Sequence, residues 1–326
     1  MTKVAILYKS SPKVPMVIEP QHIAKIKQAI PDGEVVQYGT EEELLAADFN
    51  ADILLTWGQL TPSEYYKNAG NLKWIHALSA GVEGLMKLDL DGSRVRVTNS
   101  KGIHGLAMSE FTMCYILSFL KGFPLLLRQQ QAKIWRKPDN PESQECIGKT
   151  VGIIGMGEIG QEVARKCKFF GMNVLGVRRS PKPTEHVDQM YSLAEIDRVL
   201  EQSDFIVILV PLTSESVHLI NEGKLRKMKK TAYIINIGRG PVIDENALVK
   251  VLQEGMIGGA ALDATEIEPL PQESPLWEMP NVIISPHMSA DSPLYMGRAI
   301  EIFCKNIELF LKGQKMANEI NLETKY

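Results

Sequence analysis

Short apolar runs alternate with amphipathic stretches along almost the whole chain. Val4 to Tyr8, Val35 to Tyr38, Ile53 to Thr56, Trp74 to Ala77 and Val95 to Thr98 read as one series of strands. A second series covers 151–154, 173–177, 205–210, 232–236, 258–262 and 281–284. Such runs, separated by helical patterns, imply parallel βαβ units whose strands are covered on both faces. Start signals sit between them: Thr61-Pro62 as an N-cap with an N1 proline, Ser192 with Glu195 as a capping box, and Asp244 as an N-cap before Ala247, Leu248, Val251 and Leu252. Residues 104–121 predict one long apolar helix joining the two series, and 292–312 an amphipathic helix. The segment 122–148, with Pro124, Pro138 and Pro141, predicts an irregular connector, in which Trp135 reads as a packing anchor ahead of the alternative, a dimer contact near a substrate pocket.

The second series opens differently from the first. Val151, Ile153 and Ile154 run straight into Gly155-Met156-Gly157-Glu158-Ile159-Gly160, after which Val163, Ala164, Cys167 and Phe170 continue at helical spacing from Ile159. A dinucleotide-binding turn is written this way: Gly155 for the tight turn, Gly157 for backbone approach to a pyrophosphate, Gly160 for close packing of helix on strand. The helix start then offers free N–H groups and a partial positive charge to the phosphates. Because the motif falls halfway along the chain and a helix follows the last strand, the nucleotide domain reads as an insert. The expected architecture is a Rossmann domain at 100–287 inside a smaller, discontinuous flavodoxin-like α/β substrate domain made of 1–99 and 288–326.

A length of 326 residues suits two cores, and a net charge of -3 gives no reason to expect nucleic acid or an anionic membrane as partner. No apolar run reaches the roughly 18 residues of a membrane span and the first residues do not read as a signal peptide, so a cytoplasmic protein is expected. Cys114 and Cys167 fall on apolar helical faces and predict buried free thiols; neither cysteines nor histidines show metal-ligand spacing, so no metal is expected. The basic stretch from Lys224 to Lys230 reads as a solvated helix face.

Three segments, each just after a predicted strand, carry chemistry: Asn236-Ile237-Gly238-Arg239-Gly240, Asp263 through Glu268-Pro269-Leu270-Pro271, and Ser285-Pro286-His287. With Ser109-Glu110, the glycine turn and Val210-Pro211-Leu212-Thr213, they occur in an order that resembles the D-isomer-specific 2-hydroxyacid dehydrogenase family over essentially the whole length. The resemblance implies that Arg239, Glu268 and His287 are catalytic. It also implies that Ser79-Ala80-Gly81 binds the substrate carboxylate through backbone N–H groups, and that Asp263 contacts the nicotinamide carboxamide. Glu83-Gly84 stands where the family often has Asp-His. Val210, Pro211, Ile237 and Gly238 belong to the same implied cofactor surface, and homodimers built through the nucleotide domain are implied as well, with the helix at 104–121 able to serve.

The residue types support the same chemistry. Arg239 has a planar fork suited to hold a 2-oxo acid and polarise its ketone. His287 can give a proton to the ketone oxygen as hydride arrives, and Glu268 can orient that imidazole. At the end of the second strand of the nucleotide fold, where an acid binds the ribose hydroxyls of NAD, this chain has Arg178, followed by Arg179 and Ser180. Two cations and a hydroxyl in that place favour NADP(H) over NAD(H). Trp57, Gln59, Leu60, Met108, Ser289, Asp291, Leu294 and Tyr295 are expected to shape the pocket for the substrate side chain. The expected activity is therefore reduction of a small 2-oxo acid to a 2-hydroxy acid. The same fold acting on another small anion such as formate or phosphite, or a dinucleotide-sensing corepressor role, stands as the alternative.

Overall fold

The computed structural model describes residues 1–8, 17–137 and 143–322. The chain divides into two compact units, one made of 1–103 with 291–326 and the other of 104–290. In the first, strands β1 (Lys3–Leu7), β2 (Glu34–Tyr38), β3 (Ile53–Thr56), β4 (Trp74–Ala77) and β5 (Arg96–Asn99) form one parallel sheet in the order β2-β1-β3-β4-β5, the flavodoxin-like arrangement. Helices α1 (Pro20–Ala29), α2 (Glu41–Ala46) and α3 (Ser63–Asn68) alternate with the strands. Val4, Ile6, Ile53, Leu55 and Trp74 face the C-terminal helix Tyr295–Leu311 through Ala299, Ile300, Phe303 and Ile307, all fully buried. The tail beyond that helix is held by Glu319, whose carboxylate accepts two bonds from Arg96 at 2.7 and 2.8 Å, and by Ile320 N donating to the Val97 carbonyl.

A titratable imidazole lies wholly inside this unit. His76 is flanked by Thr98 Oγ1 at 2.6 Å from Nδ1 and Ser100 Oγ at 3.2 Å from Nε2. Ser100 Oγ gives its own proton to the Ala77 carbonyl at 3.0 Å and so accepts from Nε2, which leaves Nδ1 of the neutral ring to accept the Thr98 hydroxyl, while Thr98 accepts the Trp74 indole N–H at 2.8 Å. Burial pushes the His76 pKa down to about 3, so the ring is neutral in the fold. An unfolded chain takes up that proton near pH 6.5, which makes the unfolded state the better proton binder between the two values. Stability contributed here is complete above pH 6.5 and is lost as pH falls toward 3, by up to about 1.4 kcal/mol per pH unit. Denaturant titrations of the wild type and His76→Gln across that window should diverge in slope; parallel curves would rule the contribution out.

The second unit begins with two helices, α4 (Gly105–Leu120) and α5 (Phe123–Gln131). Strands β6 (Thr150–Ile154), β7 (Asn173–Val177), β8 (Gln189–Tyr191), β9 (Phe205–Ile208), β10 (Tyr233–Asn236), β11 (Gly259–Leu262) and β12 (Val282–Ile284) then build a parallel sheet ordered β12-β11-β10-β9-β6-β7-β8. Helices α6 (Glu158–Phe169), α7 (Ile196–Gln202), α8 (Glu222–Leu225) and α9 (Glu245–Gln253) are interleaved with the strands. Strand order reverses between β6 and β9, the switch point where a Rossmann sheet receives its ligand. The Ser192–Glu195 capping box is present, and Asp244 accepts from Ala247 N at 3.0 Å as the N-cap of α9.

Several sequence expectations are corrected. The sheet has a seventh strand, the short β8 at its edge, which has no apolar run of its own. The expected connector contains α5: Pro124 occupies its first turn, where a missing N–H costs nothing, after Gly122 at φ +67. Pro138 and Pro141 lie outside the described residues. Helix α3 starts at Ser63 with Pro62 at its cap, and Thr61 instead donates its hydroxyl to the Gly84 carbonyl at 3.0 Å. Cys114 is exposed, Phe170 is partly exposed, and Trp135 packs on nothing in its own unit, its surface fully open. Cys167 is buried, with its thiol 3.8 Å from Met113 Sδ. Among the described residues no single helix is long and apolar enough to cross a membrane.

Candidate active site

In a parallel sheet all strand ends of one polarity lie along one edge, and the residues singled out in the second unit follow strands of such a sheet. Gly155 to Gly160 follow β6, Arg178 to Ser180 follow β7, Val210 and Pro211 follow β9, Ile237 to Arg239 follow β10, Asp263 and Glu268 follow β11, and His287 follows β12. The sheet thus brings them to its carboxyl edge.

The glycine turn fits a dinucleotide. Gly155 adopts φ +114, and a Cβ there would press into the Leu209–Val210 backbone, while one on Gly160 would overlap the Gly155 carbonyl oxygen. At Gly157 a Cβ would meet nothing within 4 Å, so this stretch of backbone is open to a ligand. Gly157 caps α6, whose first N–H groups have no intrahelical acceptors. Met156 turns inward at 3 % exposure and packs against Gly176, and Ile237 is buried in the same core, so each offers backbone rather than side chain to a ligand. Arg178 is half-buried, while Arg179 and Ser180 are exposed, and Arg179 pairs with Glu215 at 2.8 Å. That pair is too exposed to hold the guanidinium firmly.

At the other end of the edge, His287 Nδ1 lies 2.8 Å from Glu268 Oε2. Since the carboxylate accepts, Nδ1 carries a proton and Nε2 is the nitrogen turned to other partners. Glu268 Oε1 in turn accepts from Thr265 N at 3.3 Å. The Arg239 loop is braced from below by Asn236, which accepts from Gly238 N at 3.1 Å and donates to the Arg239 carbonyl at 3.1 Å. A Cβ on Gly240 would overlap the Thr265 carbonyl, so the Arg239 and Glu268 segments touch through backbone. Glu266 N donates to Glu245 at 2.9 Å and Glu245 N to Glu266 at 3.3 Å, a second tie between the same segments. Asp263 is 2 % exposed, and its carboxylate accepts from Met288 N and Ser289 N, each at 2.9 Å, and from Ser285 Oγ.

Sequence reasoning missed His104, at the cap of α4. It is half-buried, and burial, together with the nearby Arg239 guanidinium, pushes its pKa down to about 4, so a neutral imidazole stands beside that cation. The only signal was its place just ahead of a long helix. In the first unit, Ser79 to Gly81 follow β4. Ser79 Oγ accepts from Gly58 N at 3.0 Å and donates to the Gly81 carbonyl at 2.6 Å. The departure at Glu83-Gly84 has a local reason: a Cβ on Gly84 would overlap the Gln59 backbone, and Gly84 N bonds the Gly58 carbonyl at 2.9 Å. Glu83 accepts from the Gln59 amide at 3.1 Å.

The model of the D-isomer specific 2-hydroxyacid dehydrogenase NAD binding domain matches residues 113–289. This chain belongs to that family. Members of the D-isomer specific 2-hydroxyacid dehydrogenase family are NAD(P)-dependent oxidoreductases, and so is this protein. A glyoxylate reductase of Thermofilum pendens is 37% identical over 289 residues, covering 87% of this chain and 85% of that protein. Among solved structures, a family member from Aeromonas salmonicida is 31% identical with a TM-score of 0.83, covering 98% of this chain and 99% of the other. An NADPH-dependent glyoxylate/hydroxypyruvate reductase from Sinorhizobium meliloti, solved with NADP and sulfate, is 28% identical with a TM-score of 0.81, each chain covered in full at 100%.

Proposed function

We propose that this enzyme reduces a small 2-oxo acid of the glyoxylate or hydroxypyruvate class to the 2-hydroxy acid, using NADPH. The observation that carries the reading is the His287–Glu268 pair at 2.8 Å on the same sheet edge as the Arg239 loop. Reduced nicotinamide, when bound, supplies the hydride. Arg239 holds the acid and polarises its carbonyl, and His287, oriented by Glu268 through Nδ1, delivers a proton from Nε2 to the ketone oxygen. The names of the glyoxylate reductases similar to this chain support the substrate class. The test is NADPH consumption over a panel of 2-oxo acids. Turnover on glyoxylate or hydroxypyruvate is expected; tight dinucleotide binding with no turnover on any 2-oxo acid would favour a sensing role instead.

The cofactor choice rests on Arg178, Arg179 and Ser180, with no acid at the end of β7. A charge-assisted bond to a 2′-phosphate is worth about 1.5–3 kcal/mol, roughly 10- to 100-fold in affinity. Arg178→Asp should therefore raise KM for NADPH by about that factor and improve the use of NADH; an unchanged ratio of kcat/KM for the two cofactors would remove the assignment.

An apolar face on the second unit supports the further part of this proposal, that the enzyme pairs with a second copy of itself. Met113, Cys114, Leu117, Phe123, Phe169 and Phe170 line a groove of about 890 Å³, with Phe169 86% exposed. A patch of this kind marks an interaction surface, and a two-fold dimer is the simplest way to cover it. Light scattering should report a dimer for the wild type and a monomer for Phe169→Glu.

A further inference from the structure

Helix α4 reaches the His287 turn through a chain of hydroxyls that the proposed chemistry leaves without a task. Tyr115 is 3% exposed, and its hydroxyl lies 2.6 Å from Ser285 Oγ. Ser285 Oγ in turn bonds Asp263 Oδ1. That same oxygen accepts Met288 N, and the other carboxylate oxygen accepts Ser289 N, each at 2.9 Å. His287 N donates to the Asp263 carbonyl, also at 2.9 Å. Asp263 therefore grips the chain on both sides of His287. A carboxylate oxygen only accepts, so the single proton of Ser285 is committed to Asp263 and Tyr115 is the donor to Ser285. Burial raises the Tyr115 pKa, which keeps that donor protonated.

The reason for so much bracing is the backbone at His287. Its φ is +52, the left-handed region, which costs a non-glycine residue stability and persists where the surroundings over-determine it. If the turn relaxes, the imidazole swings away from Glu268.

We infer that Tyr115 is a positioning residue for His287: its hydroxyl fixes Ser285, Ser285 orients Asp263, and the Asp263 carboxylate locks the turn that presents the imidazole. This rests on the proposed role of His287.

Tyr115→Phe keeps the ring and its edge contact with Phe111, at 5.1 Å between centroids, and removes only the donor. We expect kcat for 2-oxo acid reduction to fall about 10-fold, since a small misplacement at a reacting group costs up to 10²-fold. KM for NADPH and Tm should hold, and the solvent deuterium isotope effect on kcat should rise because proton delivery has become slower. Ser285→Ala should lose as much, the double variant no more than either single one, and Ser285→Thr should retain activity. His287→Asn, measured alongside, separates the two claims. An inactive His287→Asn beside an unaltered Tyr115→Phe overturns the positioning role alone, whereas an active His287→Asn overturns the reading beneath it. Additive losses, or a loss of kcat that comes with a lower Tm, also overturn the positioning role.

Discussion

His287→Asn is expected to lower kcat for 2-oxo acid reduction by about 10²- to 10⁴-fold, the usual contribution of a positioned acid or base. Asparagine fills a similar space and can still bond Glu268, so the 2.8 Å contact at the Nδ1 position has a substitute. What it lacks is a titratable nitrogen opposite that contact. Dinucleotide affinity, read from NADPH fluorescence, should be unchanged, because the glycine turn lies after β6 and His287 after β12, at the far edge strand of the sheet. A fall in NADPH affinity matching the fall in kcat would mean that the residue organises the nucleotide site instead. Glu268→Gln should give a smaller loss than His287→Asn, since an amide can still accept from Nδ1 while no longer carrying charge.

Much of the fold could be read because its strands are buried on both faces. Val4 to Leu7, Ile53 to Leu55 and Phe205 to Ile208 are continuous apolar runs in the sequence and lie fully or almost fully buried in parallel sheets. Strand β8 escaped because Gln189-Met190-Tyr191 is an edge strand with only Tyr191 buried, so it has no run to detect. Helix α5 escaped because prolines were read as breakers, although Pro124 sits where a helix tolerates one. Trp135 and Cys114 were misread for a different reason. Apolar character at helical spacing, or beside prolines, predicts burial only on average, and both side chains are exposed here.

The grouping of the candidate residues at one sheet edge was legible in the sequence, and their bracing was not. Order after successive strands singled out Arg239, Asp263, Glu268 and His287 as segments at one sheet edge, because strand ends are predictable from periodicity. No local pattern reveals that Asp263 accepts from Met288 and Ser289, 25 and 26 residues away, or that Tyr115 meets Ser285 across 170 residues. Those contacts exist only once β11 and β12 are paired and α4 is packed beside them. The nitrogen of His287 that faces Glu268 is likewise a product of the turn at φ +52 and not of composition.

Arg239→Lys should reduce kcat/KM for the 2-oxo acid on the order of 10²- to 10³-fold, the loss typical of removing one group aimed at developing charge. The substitution keeps the positive charge, so a site that needed only attraction for an anion would barely notice it. What changes is geometry. A guanidinium presents two parallel donors in one plane, matched to oxygens of an oxo acid, whereas an ammonium is a single hydrated point charge. The backbone should not relax to compensate, because Asn236 holds both Gly238 and the Arg239 carbonyl at 3.1 Å and Gly240 is wedged on the Thr265 carbonyl. His104 cannot take over either: with a pKa near 4 it is neutral at working pH and brings no charge of its own. The loss should therefore fall on kcat as well as KM, and added guanidinium should restore part of the activity of Arg239→Ala but none in Arg239→Lys, where the ammonium fills the space. A Lys variant within threefold of wild type would show that charge alone suffices and that the fork is not used.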